Sequence, residues 1–132
     1  MSVLRSFLFN EVLAGRVQAA NWRCLMDGDV PACSTDTHAI PTGPLWGRGR
    51  SATSAAAAEL EDRALAGYTE ICHGLEFSGL RQDRRALVLL PRDLRWCAQG
   101  DELRLRFCLG PGGYATSVLR EIFLLRGADD GV

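Results

Sequence analysis

The residues of this chain best placed to do chemistry lie near its C-terminal end. Gly110, Pro111, Gly112 and Gly113 precede Tyr114, and Ala115, Thr116 and Ser117 then open an apolar-periodic stretch. A strand, a glycine turn and a helix start leave free backbone N–H groups at the positive end of a helix dipole, where a phosphate or carboxylate can be met. Taken alone the signal is weak, because glycine-rich turns mostly just reverse the chain. The spacing is not GxxxxGKS/T, so a nucleotide triphosphatase has no support here. Tyr114, held between glycines and a helix start, is placed to stack on a base, a contact worth about 1–3 kcal/mol. It is equally placed to cap a hydrophobic core, and local pattern leaves both readings open.

A second candidate runs from Pro41 to Arg50, PTGPLWGRGR, where Trp46 is interleaved with Arg48 and Arg50 in a glycine frame. Arginines there can meet phosphates and the indole a base, or the loop can be solvated with its tryptophan docked inward. Arg81, Arg84 and Arg85 form the other basic cluster, readable as an RNA contact or as a solvated helix end. His38 and His73 have no nucleophile or carboxylate at a diagnostic offset, Asp27 and Asp29 read as a turn pair, and no acid–base pair stands out. The five cysteines, Cys24, Cys33, Cys72, Cys97 and Cys108, show no CxxC and no metal-ligand spacing. No metal is expected, and Cys97 and Cys108, set in apolar stretches, are expected to be buried free thiols.

Composition bounds these possibilities. At 132 residues and 47% hydrophobic, the chain can bury a core without disulfides or metal. A net charge of −1 supplies no global attraction for a polyanion, so nucleic-acid contact must come from a local patch. All 15 basic residues are arginine. The lack of lysine excludes a lysine nucleophile, a Schiff base and a P-loop, and a GC-rich coding sequence accounts for the bias without selection. No apolar run approaches the roughly 20 residues that span a bilayer. A reducing, cytoplasmic setting is the expectation, with no membrane.

The elements that must position these residues follow from periodicity. Val3, Leu4, Phe7, Leu8, Val12, Leu13 and Val17 recur at helical steps, predicting a helix to about Ala20. Asn21 to Thr53 is dense in turn formers and reads as loop with at most one short strand. Ala55 to Gly74 predicts a helix with Leu60, Leu65, Tyr68, Ile71 and Cys72 inward and Glu59, Glu61, Asp62, Arg63 and Glu70 outward. A short helical turn over Leu75 to Leu80 follows, ending in the cluster Arg81 to Arg85. Ala86 to Leu90 is an apolar run stopped by Pro91. Leu94 to Cys97 and the alternating Leu103, Leu105, Phe107 and Leu109 predict an antiparallel hairpin or meander around Gln99, Gly100 and Asp101. A last helix is expected over Ala115 to Leu125, with Val118, Leu119, Ile122 and Phe123 inward and a frayed tail beyond. The fold class is α+β.

Five stretches, in order, resemble one family, the TruD-type tRNA pseudouridine synthases: RSFLFNEVLAGRV (Arg5 to Val17), DGDV (Asp27 to Val30), PTGPLWGRG (Pro41 to Gly49), GLEFSGLRQDRRALVLLPRDLRW (Gly74 to Trp96) and GGYATSVLREI (Gly112 to Ile122). The resemblance implies that residues 1–90 are a partial, shortened form of the family's helical and loop-rich insertion domain. Residues 91–132 would be the closing antiparallel strands and final helix of its catalytic domain. It implies isomerisation of uridine 13 in tRNA without cofactor: an aspartate attacks, and the base is detached, rotated and reattached through carbon. Tyr114 would line the uridine pocket, and Trp46, Arg48, Arg50, Arg84 and Arg85 would contact RNA.

Two departures qualify that expectation. The family's nucleophile belongs to a lysine-containing GxKDxxA type motif that is absent here, so no catalytic residue is assigned. The stretch between DGDV and PTGPLWG is shorter than is usual for the family. The chain is therefore expected to be an inactive piece of such an enzyme. The alternatives are a non-catalytic RNA-binding module and a partner to a separate polypeptide supplying the aspartate. Strands cut off from their neighbours would leave an open sheet edge and favour self-association.

Overall fold

The computed structural model describes residues 2–33, 38–110 and 113–124. Asp36, Pro111 and Gly112 of the glycine turn, and the tail beyond Leu124 lie outside the described residues. Helices and antiparallel strands together make the architecture α+β, as expected. Packing divides the chain into two compact units, Met1–Val88 and Leu89–Val132.

In the first unit, α1 (Val3–Gln18) lies between a helical layer and a sheet, which widens the buried surface beyond the single expected stripe. Leu8 and Val12 pack with Leu65, Cys72 and Leu75. Phe9, off that stripe, is buried against Leu45 and Leu87 on the other side. Val3 and Val17, at the helix ends, stay exposed. The helix closes on paired bonds, Ala20 N–H to Val17 O and Asn21 N–H to Arg16 O, with Ala20 in the left-handed conformation such a cap requires.

The region from Asn21 to Thr53 holds two strands where at most one was expected. β1 (Pro31–Cys33) and β2 (Ala39–Leu45) pair antiparallel, and β2 pairs antiparallel with β3 (Asp83–Ala86), giving the order β1-β2-β3. Strand β2 escapes a sequence reading because AIPTGPL has two prolines and a continuous rather than alternating burial pattern. Its first residues pair with β1 and Thr42 to Leu45 with β3, so the two ladders follow one another along the strand and leave room for residues lacking an N–H. The third strand falls on Asp83 to Arg85 of the arginine cluster and takes in only Ala86 of the apolar run Ala86 to Leu90.

The single helix expected over Ala55 to Gly74 is instead α2 (Ala55–Leu65), a 3-10 turn (Ala66–Tyr68) and α3 (Thr69–Phe77). Gly67, a poor helix former, sits in the break. Helix α3 also takes in the start of the separate turn expected from Leu75. Tyr68 leans its ring edge-on to Phe7, with centroids 5.0 Å apart.

The second unit contains the hairpin β4 (Arg92–Gln99) and β5 (Glu102–Cys108), joined by Gly100 and Asp101, and then α4 (Ala115–Ile122). Gly100 has φ +58, the conformation a tight two-residue hairpin turn demands. Register makes the hairpin two-faced. Trp96 opposes Leu105 and Ala98 opposes Leu103, whereas Arg95 opposes Arg106, Cys97 opposes Arg104 and Arg92 opposes Cys108. Helix α4 buries Val118, and Ile122 and Phe123, expected inward, are exposed.

Cys97 and Cys108 are exposed, which corrects the expectation of buried thiols: register puts both on the arginine side of the hairpin. Among the cysteines whose side chains are described, Cys72 is buried, and burial, with the Glu76 carboxylate as a smaller cause, holds its thiol above the ordinary value. Thiolate is the reacting form. Iodoacetamide at pH 8, followed by peptide mass spectrometry, is expected to label Cys24, Cys97 and Cys108 at least about tenfold faster than Cys72.

Candidate nucleic-acid interface

The sequence groups Trp46, Arg48, Arg50, Arg84 and Arg85 together, and the structure gives them different work. Trp46 is partly buried against the helical core, and its indole N–H donates to Glu76 Oε1 at 3.0 Å. Arg85 lies over the Phe9 ring with its guanidinium carbon 4.1 Å from the centroid. Arg84 is drawn inside. Its guanidinium donates to Thr42 Oγ1 at 2.8 Å, to Thr42 O at 2.7 Å and to Glu61 Oε1 at 2.5 Å.

Glu61, expected on the outer face of its helix, is 5% exposed. The partner that turns it inward is Arg84, and Thr53 Oγ1 adds a hydrogen bond to Glu61 Oε2 at 3.0 Å. Thr42 in turn donates to Val30 O. One polar network thus ties β2, β3, α2 and the loop before α2. The turn pair Asp27 and Asp29 is likewise structural. Asp29 accepts from Arg16 at 3.0 Å and from Met26 N–H at 2.7 Å, with the Arg16 and Asp29 side chains 3% and 2% exposed.

Arg48 and Arg50 remain exposed, and a third arginine joins them. Arg48 and Arg81 form an isolated parallel bridge: Arg48 N–H donates to Leu80 O at 2.7 Å, and Gln82 N–H donates to Arg48 O at 3.0 Å. Partners in such a bridge project their side chains from the same side. Gly47 permits the approach, since a Cβ there would lie 2.5–2.6 Å from Arg81 C, Arg81 O and Leu80 O. Arg5 locks it from behind, donating to Leu45 O at 2.7 Å and Arg81 O at 2.8 Å. Beside this bridge a shallow cleft of about 210 Å³ is lined by Arg50, Ser51, Ala52, Gln82, Asp83 and Arg84. Neither ion pair found among the described residues includes Arg48, Arg50 or Arg81. Guanidinium donors without a carboxylate partner suit a phosphate. The glycines of PTGPLWGRG could have pointed to Arg81, had its bridging segment been evident.

In the second unit Tyr114 stands at the start of α4 in extended conformation and is 65% exposed. Gly113 N–H donates to Gly110 O at 3.1 Å, and a Cβ on Gly113 would meet Leu89 Cδ1 at 2.8 Å, so Gly113 is closely packed just before the ring. His38 and His73 are exposed. Among the described residues, no three His, Cys, Asp or Glu side chains converge as metal ligands, and no helix is long and apolar enough to cross a membrane.

A sequence model of the family described as tRNA pseudouridine synthase D (TruD) matches residues 32–122. The chain belongs to that family. Among curated relatives, the tRNA pseudouridine synthase D of Aeromonas salmonicida is 38% identical, the match covering 99% of this chain and 43% of the relative. That of Nitrosococcus oceani is 41% identical over 92% of this chain and 40% of its own length. That of Cellvibrio japonicus is 42% identical over 95% and 35%. The chain spans about two fifths of the length of the TruD relatives it matches.

Proposed function

We propose that these 132 residues form a tRNA-holding part of an enzyme that converts uridine 13 of tRNA to pseudouridine, and that alone they do not perform the reaction. TruD membership across residues 32–122, in a chain with no lysine-containing aspartate motif, carries the proposal. Residues 1–90 correspond to the insertion domain and 91–132 to the end of the catalytic domain, acting on tRNA in the cytoplasm. Arg48, Arg50 and Arg81 hold phosphates. Arg84, Arg85 and Trp46 act from behind, since their own groups are engaged within the fold. Tyr114, exposed at the end of its turn, supplies a wall for the uracil ring. The two outer strand edges of the β4–β5 hairpin provide a route to self-association.

The decisive measurement is made on the purified chain with an unmodified tRNA transcript. Binding is expected at low salt, with no pseudouridine detected in the recovered RNA by mass spectrometry. Tyr114→Ala is expected to weaken binding about tenfold. Turnover by the chain alone would refute the assignment of inactivity, and absence of tRNA binding would refute the holding role. Recovery of turnover on adding a polypeptide that bears the aspartate motif would favour a complementing part over an independent RNA-binding module.

A further inference from the structure

The β4–β5 hairpin carries four arginines on one face. Register places Arg95 directly opposite Arg106, with Arg104 and Arg92 beside them opposite Cys97 and Cys108. All four arginines are exposed. Glu102, opposite Gln99 at the turn end, is the carboxylate that register puts on this face, while Asp93 and Asp101 lie at the strand irregularity and in the turn. In a chain with 15 basic and 16 acidic residues, such segregation departs from the average composition. Like charges directly opposite each other destabilise a strand pair, and neither ion pair found among the described residues relieves them.

We propose that this face binds the phosphodiester backbone of the tRNA, through Arg95, Arg104 and Arg106 with Arg92 at its end. The proposal rests on the tRNA-holding role above but concerns a surface that neither family membership nor the sequence motifs assign. Arginines two apart on a strand stand about 7 Å from one another, and direct cross-strand neighbours about 5 Å. That ladder presents guanidinium donors at intervals comparable to successive phosphates on one nucleic-acid strand. A protein partner fits poorly, because stable protein interfaces are built around buried apolar or aromatic anchors. On this hairpin those residues, Trp96, Leu103, Leu105 and Phe107, occupy the other face.

The test compares the full chain with a triple variant, Arg95→Gln, Arg104→Gln and Arg106→Gln, and with the corresponding triple lysine variant, which keeps the charge. Binding of a tRNA transcript and of a twelve-nucleotide oligouridylate is followed across a salt series. The glutamine variant is expected to bind tRNA at least about tenfold more weakly and to reduce the slope of log K against log salt by about 2, with each phosphate contact worth about 0.7–0.9. The lysine variant is expected to keep the slope. Bound RNA is also expected to slow alkylation of Cys97 and Cys108 while leaving that of Cys24 unchanged.

Wild-type binding of tRNA with an unmoved slope and unprotected Cys97 overturns this face and leaves the tRNA-holding role standing. Binding of the oligouridylate but not of tRNA, with the slope reduced in the glutamine variant, keeps a phosphodiester face and removes the tRNA role. No binding of either RNA overturns both. Loss of binding in the lysine variant as well, with unchanged circular dichroism, overturns a purely electrostatic contact.

Discussion

Arg84→Ala is expected to lower the unfolding free energy of the first unit by about 3–5 kcal/mol, the usual cost of removing one partner of a buried ion pair. The side chains of Arg84 and Glu61 are 13% and 6% exposed, so the loss leaves the Glu61 carboxylate inside the protein with Thr53 Oγ1 as its remaining hydrogen-bond donor. Thr42 loses the two hydrogen bonds that its Oγ1 and carbonyl oxygen accept from the same guanidinium. The double variant Arg84→Met with Glu61→Leu is expected to recover most of the stability, because an apolar pair of similar volume removes the charge together with its desolvation cost. Urea unfolding followed by circular dichroism gives both numbers. A single-variant loss below about 1 kcal/mol would place the pair among exposed ion pairs and remove its structural role. The consequence reaches the proposed RNA surface, since Arg84 lines the cleft beside Arg50.

A second large effect is expected at Gly28. Its φ is +83, and a Cβ there would lie 1.8 Å from Ser54 O and 2.4 Å from Ser54 C. Both neighbours are backbone, so no rotamer change relieves the clash. Moving the backbone would break Ser54 N–H to Gly28 O at 3.1 Å and Ala57 N–H to Asp27 O at 3.0 Å. The second bond satisfies an otherwise unpaired donor in the first turn of α2. Gly28→Ala is expected to cost about 4 kcal/mol or more, combining left-handed strain with steric exclusion. Gly74→Ala, a helical glycine with nothing within 4 Å of its would-be Cβ, is the matched control and is expected to be neutral or slightly stabilising. Equal melting of the two variants would show that the Asp27 to Asp29 turn does not dock on α2 as described.

These two sites account for several residues of the DGDV and PTG stretches without recourse to RNA. DGDV joins α1 to α2: Asp29 pairs with Arg16, Gly28 makes the close approach, and Asp27 O takes an N–H of α2. PTG places Thr42 between Val30 O and Arg84. A large part of each motif therefore builds the frame, and the exposed arginines at its edge are what remain for a ligand.

The sequence by itself determined the α+β class, the first helix, the β4–β5 hairpin with its turn, and the likeness to TruD proteins. Each of those is written in local periodicity or in ordered motifs, where neighbouring residues suffice. It did not reveal β1 and β2, because prolines and continuous burial erase the period-two signal, or the break between α2 and α3. Nor could it sort the arginines. Arg84 and Arg48 look alike in sequence, and what separates them is a carboxylate 23 residues away in one case and, in the other, a backbone bridge to Arg81 that leaves the side chain in solvent. A charge is committed or available according to what the fold brings within about 3–4 Å of it, and for these residues those neighbours come from distant parts of the chain.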